Sequence, residues 1–147
     1  MKLNTTSAVI SFAKQLENES AKFYEDWSEK YAKDKEFFLS FAIENKKNVV
    51  YIERAYYGVI TDAIEGCFAF DIDTDKYPCE TCLVQNSSYT DALREAIRME
   101  EQIIKFYYDA SEQSKSLMAD VPVAFLTVAA KRNKRIPRLR SVLEKEV

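Results

Sequence analysis

The same helical pattern occurs twice in this sequence, and this internal repeat restricts the fold more than any other feature. Residues 13–29 and 96–112 are identical at eight of 17 aligned positions and share the pattern A-x-x-x-E-x-x-x-x-x-F-Y. A further match follows each copy, at Phe38, Leu39 and Ala42 in the first half and at Phe125, Leu126 and Ala129 in the second. Two similar helical hairpins joined by a long crossover predict an all-α, antiparallel four-helix bundle.

Apolar residues at helical spacing define the four predicted helices. These run from Thr6 to about Tyr31, from Asp34 to near Gly58, from about Thr90, and from Asp120 onward. Asp34 is expected to cap the second helix, and Ser88 and Asp91 have the spacing of a capping box at the third. Pro122 suits a first helical turn, whereas Pro137 lies inside the fourth helix and is expected to bend it.

The composition excludes several classes of chemistry. The chain contains no histidine and only two glycines among 147 residues. Ser-His-Asp and Cys-His catalysis are therefore excluded, and so are glycine-rich phosphate loops. The net charge of −3 argues against nucleic-acid binding. Because no signal peptide or membrane span is found and the three cysteines are an odd count, we expect a cytoplasmic protein with one domain over residues 1–147.

Residues 59–87 differ from both halves and are predicted to form the crossover, with one short helix near Thr61–Glu65. This segment holds Cys67, Cys79 and Cys82, of which the last two form a C-x-x-C. Three thiols without a histidine leave a zinc site one protein ligand short. A metal-binding or redox-sensing thiol site therefore stands beside the interpretation of these residues as ordinary thiols.

The repeated pattern resembles the rubrerythrin-like branch of the ferritin-like superfamily, over most of the chain except the crossover. In that family the first and third helices each carry a Glu seven residues before a Tyr. The matching residues here are Glu17 with Tyr24 and Glu100 with Tyr107. The resemblance implies a ferritin-like topology, a homodimer, a di-iron site and an oxidative-stress role in reducing peroxide or oxidising iron.

The second and fourth helices of that family carry F-x-x-x-A-x-x-E-x-x-H, whose Glu and His bind the metal. The matching ligand positions here hold Asn45 and Asn48 in one half and Arg132 and Arg135 in the other. Only the two glutamates of the first and third helices remain as metal ligands. Asn is a poor neutral ligand, and a guanidinium stays protonated and offers no acceptor. We therefore expect no cofactor, with di-iron or zinc as the alternatives.

The same residues predict a buried polar network. The two glutamates fall on or beside the apolar stripes of their helices, where an unpaired carboxylate is costly. Two glutamates and two arginines sum to zero charge, so the arginines are predicted to pair with the glutamates at the former metal positions, with the asparagines completing the hydrogen bonds. The predicted network comprises Glu17, Asn45, Asn48, Glu100, Arg132 and Arg135.

Two other interpretations of these residues stay open at this point. Arg132 and Arg135 lie in a basic run over residues 131–140, and such runs are usually solvated. In a shifted register, Glu17, Glu44 and Glu100 would supply carboxylate oxygens for one hard cation such as Mg²⁺ or Mn²⁺.

These observations favour a non-catalytic rubrerythrin-like protein that acts as a binding or scaffold protein. It is expected to form a homodimer with an unidentified protein partner and to bind neither membranes nor nucleic acid. The adjacent pairs Tyr56-Tyr57 and Tyr107-Tyr108 predict some exposed aromatic surface for a partner. One alternative is a metal-binding oxidoreductase with an atypical carboxylate site. The other is a thiol-based metal-binding or redox-sensing module that uses the C-x-x-C.

Overall fold

The computed structural model describes residues 1–58, 70–78, 88–115 and 120–147, and most of these residues are helical. The described helices are α1 (Thr6–Lys30), α2 (Lys35–Tyr57), α3 (Tyr89–Ser114), α4 (Asp120–Asn133) and α5 (Arg135–Glu146). The all-α class is therefore confirmed. None of the described helices combines the length and the apolar character that crossing a membrane requires. The helix predicted near Thr61–Glu65 and the three cysteines, Cys67, Cys79 and Cys82, lie outside the described residues.

A small antiparallel pair of strands joins the amino-terminal residues to the crossover. β1 (Lys2–Leu3) pairs with β2 (Ile72–Asp73), and Leu3 stands opposite Ile72. Both of these apolar side chains are buried. Sequence periodicity did not predict the pair, because strands of two residues are too short to show an alternating pattern. The pairing holds part of the crossover beside the start of α1.

Asp34 precedes α2 as predicted, but its side chain does not cap the helix. Its φ of 57° lies in the left-handed region, which Asp tolerates better than most residues, whereas a capping residue is usually extended. Asp34 Oδ2 instead accepts a 2.8 Å hydrogen bond from Tyr89 Oη at the start of α3. The predicted cap is therefore wrong, although Ser88 Oγ does accept from the Asp91 N–H at 3.0 Å and caps α3 as predicted.

The fourth predicted helix is divided in two. Helix α4 begins at Asp120 with Pro122 in its first turn, as predicted, and ends at Asn133. Helix α5 begins at Arg135, so the prediction of one helix bent at Pro137 is wrong. Proline removes the N–H that would bond to the carbonyl four residues earlier, and its ring crowds that carbonyl, here that of Asn133. The break consequently falls one turn before the proline and not at it.

The helices pack as two pairs that contact each other. Helix α1 packs most extensively on α2, and α3 on α4. Contacts of α2 with α4 bring the pairs together, and α5 packs on α3. The repeated Phe-Tyr pairs at Phe23-Tyr24 and Phe106-Tyr107 are fully buried. Equivalent positions in the two halves therefore face one core.

Candidate functional site

Six polar residues from five helices lie in the middle of this core, and they are the six that the repeat predicts. Glu17 lies on α1, Asn45 and Asn48 on α2, Glu100 on α3, Arg132 on α4 and Arg135 at the start of α5. Each is at most 1% exposed. Charged residues are almost never buried to this degree unless they are paired.

Arg132 connects the two buried glutamates. Its Nε donates to Glu17 Oε2 at 2.9 Å, and its Nη2 lies 2.8 Å from the same oxygen. Its Nη1 donates to Glu100 Oε2 at 2.6 Å. Nη2 also reaches Asn45 Oδ1 at 3.3 Å. One guanidinium thus links α1, α2 and α3 to α4 through charge-assisted hydrogen bonds, which are stronger than hydrogen bonds between neutral groups.

Arg135 extends the network from Glu100 towards the surface. Its Nη1 donates to Glu100 Oε1 at 2.9 Å, and its Nη2 donates to Glu44 Oε1 at 2.8 Å and to the Phe41 carbonyl at 3.2 Å. The guanidinium carbon also lies 4.8 Å from the centre of the Phe41 ring. The Glu44 side chain is 38% exposed, so this residue forms the boundary between the network and solvent.

Each of the two repeated tyrosines donates a hydrogen bond to the buried glutamate of the other half. Tyr24 on α1 donates to Glu100 Oε1 on α3, and Tyr107 on α3 donates to Glu17 Oε2 on α1, both at 2.7 Å. The remaining oxygen, Glu17 Oε1, accepts from Asn48 Nδ2 at 2.9 Å. All four carboxylate oxygens of the buried glutamates therefore accept hydrogen bonds. In the described part of the chain, no donor reaches the side-chain amide oxygen of Asn48, Oδ1.

The buried charges of the network shift the pKa values of their neighbours. Burial alone would raise the pKa of Glu100, but the two arginine charges and the Tyr24 hydrogen bond lower it below its usual value of 4.5. Burial would lower the pKa of Arg132, but the two glutamates raise it well above its ordinary value. Burial and the facing carboxylates raise the pKa values of Tyr24 and Tyr107 far above 10.0. Both phenols therefore keep the protons that they donate to Glu17 and Glu100.

The alternative site for a hard cation is not formed. Arg132 lies between Glu17 and Glu100, and Arg135 lies between Glu100 and Glu44. Among the residues that the structure describes, no three His, Cys, Asp or Glu side chains converge as metal ligands. Glu44 is 38% exposed, and its ion pair with Arg135 was not predicted from the sequence. The number of hydrogen-bond donors could have indicated this ion pair from the sequence. Two guanidinium groups carry ten N–H groups, and two carboxylates cannot accept them all.

The basic run over residues 131–140 is divided between core and surface. Arg132 and Arg135 are buried, whereas Lys134, Arg138 and Arg140 are exposed. The alternative in which Arg132 and Arg135 are solvated is therefore wrong, because the helical spacing places these two members of the run in the core. The aromatic pairs behave as predicted, with Tyr57 and Tyr108 exposed and their neighbours buried.

Comparisons of the chain with protein-family models, with curated protein sequences and with solved structures find no match. The function therefore has to be inferred from the chemistry of the site itself.

Proposed function

We propose that the chain is a binding or scaffold protein built on a four-helix bundle of ferritin-like topology. In this proposal a Glu/Arg/Asn network stands at the position where a rubrerythrin-like protein binds two iron ions. The observation that carries the proposal is the position of Arg132, whose guanidinium bridges Glu17 and Glu100 at distances of 2.6–2.9 Å. A cation of the protein itself thereby occupies the place between the two carboxylates.

A di-iron centre does not fit the donor set of this core. Such a centre needs about four carboxylates and two imidazoles from the facing helices. Here two of the matching positions hold arginines, which have no lone pair to give to a metal. The oxygens of Glu17 and Glu100 are already bound to Tyr, Asn and Arg donors. A metal would have to displace these bonds and would meet two fixed positive charges.

The arrangement of the helices supports the topological part of the proposal. Each half forms one close pair, α1 with α2 and α3 with α4, and the connection between α2 and α3 is long. Glu17 and Glu100 occupy equivalent positions, and each accepts a hydrogen bond from the tyrosine of the other half. This reciprocity is the expected result of two similar hairpins packed about a pseudo-twofold axis.

The network has a structural role in this proposal. It joins α1, α2, α3, α4 and α5 through bonds that need correct geometry at every contact, so it favours one arrangement of the helices over others. The outer surface then has the function of binding a partner. The proposed location is the cytoplasm, and the proposed oligomeric state is a homodimer. Fold alone does not define the ligand of such a scaffold.

Elemental analysis tests the proposal. The protein is purified after growth with added iron, zinc and manganese, and metal is measured per chain alongside peroxidase activity. We expect neither stoichiometric metal nor peroxidase activity. Two irons per chain would contradict the proposal and favour the oxidoreductase. One zinc per chain that is lost in a Cys67→Ser/Cys79→Ser/Cys82→Ser variant would instead favour the thiol module.

A further inference from the structure

The outward side of α2 exposes apolar side chains in addition to those that it buries. Ile43, Val50 and Tyr51 are 57%, 44% and 39% exposed. Their spacing of i, i+7 and i+8 places them along one side of the helix, over about 12 Å at 1.5 Å per residue. An exposed row of large apolar residues on a helix that is already amphipathic marks a surface available to a partner.

These residues line an open groove with a volume of about 550 Å³. Four basic residues complete it, and together the lining defines the basic groove: Ile43, Lys46, Lys47, Val50, Tyr51, Arg54 and Lys131. Lys131 comes from α4 and lies with Nζ 5.4 Å from the centre of the Tyr51 ring. No acidic residue is among the described residues that line the groove. Glu44 lines the neighbouring depression, where Arg135 binds it.

Three of the four basic residues of the groove have no acidic partner among the described residues. Lys46 pairs with Glu25 at 2.8 Å. In the described ranges of the chain, Lys47, Arg54 and Lys131 have no carboxylate within 4.0 Å. The chain as a whole carries a net charge of −3, so this surface is opposite in sign to the molecule. Such a local excess attracts an acidic partner and repels basic ones.

We infer that the basic groove binds an amphipathic helix of another protein whose apolar face is bordered by Asp or Glu residues. This inference rests on the proposed function as a binding scaffold and identifies its docking surface. Apolar anchors of the partner helix would contact Ile43 and Val50, and its acidic residues would face Lys47 and Arg54. The groove contains an apolar row with cations beside it, which is the complement of such a helix.

The distribution of the cations argues against a small anion as the occupant. Lys47 and Arg54 are seven residues apart on α2, about 10 Å along its axis. A phosphate or carboxylate group binds where several donors converge on one point. Here the cations are spread along the helix with apolar side chains between them, which matches the repeated charges of an acidic helix.

Fluorescence anisotropy with a designed peptide tests the inference. The probe is a labelled helical peptide of about four turns, with Leu at i, i+4, i+7 and i+11 and Glu at the bordering positions. The comparison probes carry Lys in place of Glu, or consist of vesicles of phosphatidylcholine with phosphatidylserine. We expect the full-length protein to bind the acidic peptide, to bind it less tightly as salt increases, and not to bind the comparison probes.

Two variants and one matched control locate the binding. Lys47→Glu/Arg54→Glu and Val50→Asp are each expected to weaken binding at least about tenfold. Lys22→Glu/Lys115→Glu makes the same change in net charge as the first variant, on lysines that are 76% and 64% exposed and lie outside the groove. This control is expected to bind like the unmodified protein. Circular dichroism confirms that each variant is folded.

The inference is overturned if no probe binds, if the acidic peptide binds the double variant and the unmodified protein equally, or if the basic peptide or the vesicles bind preferentially. Sedimentation velocity provides a further test, since a dimer that Lys47→Glu/Arg54→Glu dissociates would assign the groove to a second copy of the chain and also overturn the inference. Metal analysis of the same preparations separates the two proposals. A metal-free protein that binds no acidic helix rejects the groove only, whereas two irons per chain reject the scaffold.

Discussion

Arg132 and Glu17 are 115 residues apart in the chain, and they meet with no exposed surface on either side chain. The Arg132 Nε and Nη2 atoms lie 2.9 and 2.8 Å from one oxygen of Glu17. Either group buried alone would cost several kcal/mol, because its charge would leave water without compensation. Each residue thus makes the burial of the other tolerable, and the contact joins the first described helix to the fourth.

Removing Arg132 is expected to destabilise the protein strongly. Arg132→Ala leaves Glu17 and Glu100 buried with too few donors, and we expect a loss of about 3–5 kcal/mol in the free energy of unfolding. Arg132→Lys should recover only part of this, because an ammonium cannot span both carboxylates as a guanidinium does. Urea denaturation followed by circular dichroism measures the change.

Arg140→Ala provides the matched control for this experiment. Arg140 belongs to the same basic run, but it is 59% exposed and pairs with an exposed Glu101. Its removal should cost no more than about 1 kcal/mol. If Arg132→Ala and Arg140→Ala unfold at the same urea concentration, the buried network does not stabilise this fold.

The partners in this network could be predicted because the repeat identifies equivalent positions. Aligning the halves placed Glu17 and Glu100 in one register and showed that the two arginines stand where the other half has Asn45 and Asn48. Glu44 was missed because helical spacing describes where a side chain begins and not how far the long side chain of Arg135 reaches. Its partial exposure also makes Glu44 resemble an ordinary surface residue.

Apolar periodicity predicted both ends of α1 and the start of α3 to within a residue or two, and Ser88 caps the start of α3. The break at Lys134 was harder to predict. Its cause, Pro137, lies three residues further on, and the residues between it and the break continue the helical pattern. The hydrogen bond that Asp34 accepts from Tyr89 was also unpredictable, since Tyr89 is distant in sequence and no local pattern indicates the contact.

Neutralising Glu100 is expected to cost more than neutralising Glu17. Glu100 accepts from both Arg132 and Arg135, whereas Glu17 accepts from only one arginine. Glu100→Gln therefore leaves two buried guanidinium groups short of negative charge, and Glu17→Gln leaves one. Thermal unfolding of the two isosteric variants measures the difference, and equal midpoints would show that Arg135 takes no compensation from Glu100.

Acid should unfold the protein through Glu100. The pKa of this carboxyl is lowered in the folded state, so below about 4.5 the unfolded chain binds more protons than the folded one. The stabilisation is thus complete above pH 4.5 and is lost as the pH falls through the lower folded-state pKa. Urea unfolding between pH 3 and pH 7 measures this dependence.

The Glu100→Gln variant serves as the control for the acid experiment, because it has no proton to take up at this position. Its stability should fall less steeply with decreasing pH than that of the unmodified protein. Parallel curves for the two proteins would assign the acid sensitivity to other carboxylates.

Introducing the metal ligands of rubrerythrin-like proteins should create a metal site if the bundle has ferritin-like topology. The variant Asn45→Glu/Asn48→His/Arg132→Glu/Arg135→His combines four carboxylates and two imidazoles in the core, when Glu17 and Glu100 are included. Without metal, four buried carboxylates repel one another, so we expect the variant to be largely unfolded. Iron(II) or zinc should restore helical circular dichroism at about two ions per chain, because metal binding and folding are coupled in such sites.

The double variant Asn45→Glu/Asn48→His is the control for this last prediction, because it keeps both arginines. Their charge should prevent metal binding, so its unfolding temperature should not depend on iron or zinc. A quadruple variant that folds and yet gains no stability from either metal would contradict the ferritin-like arrangement of these six positions. In that case, Arg132 and Arg135 would belong to an ion-pair network of independent origin and not to a former metal site.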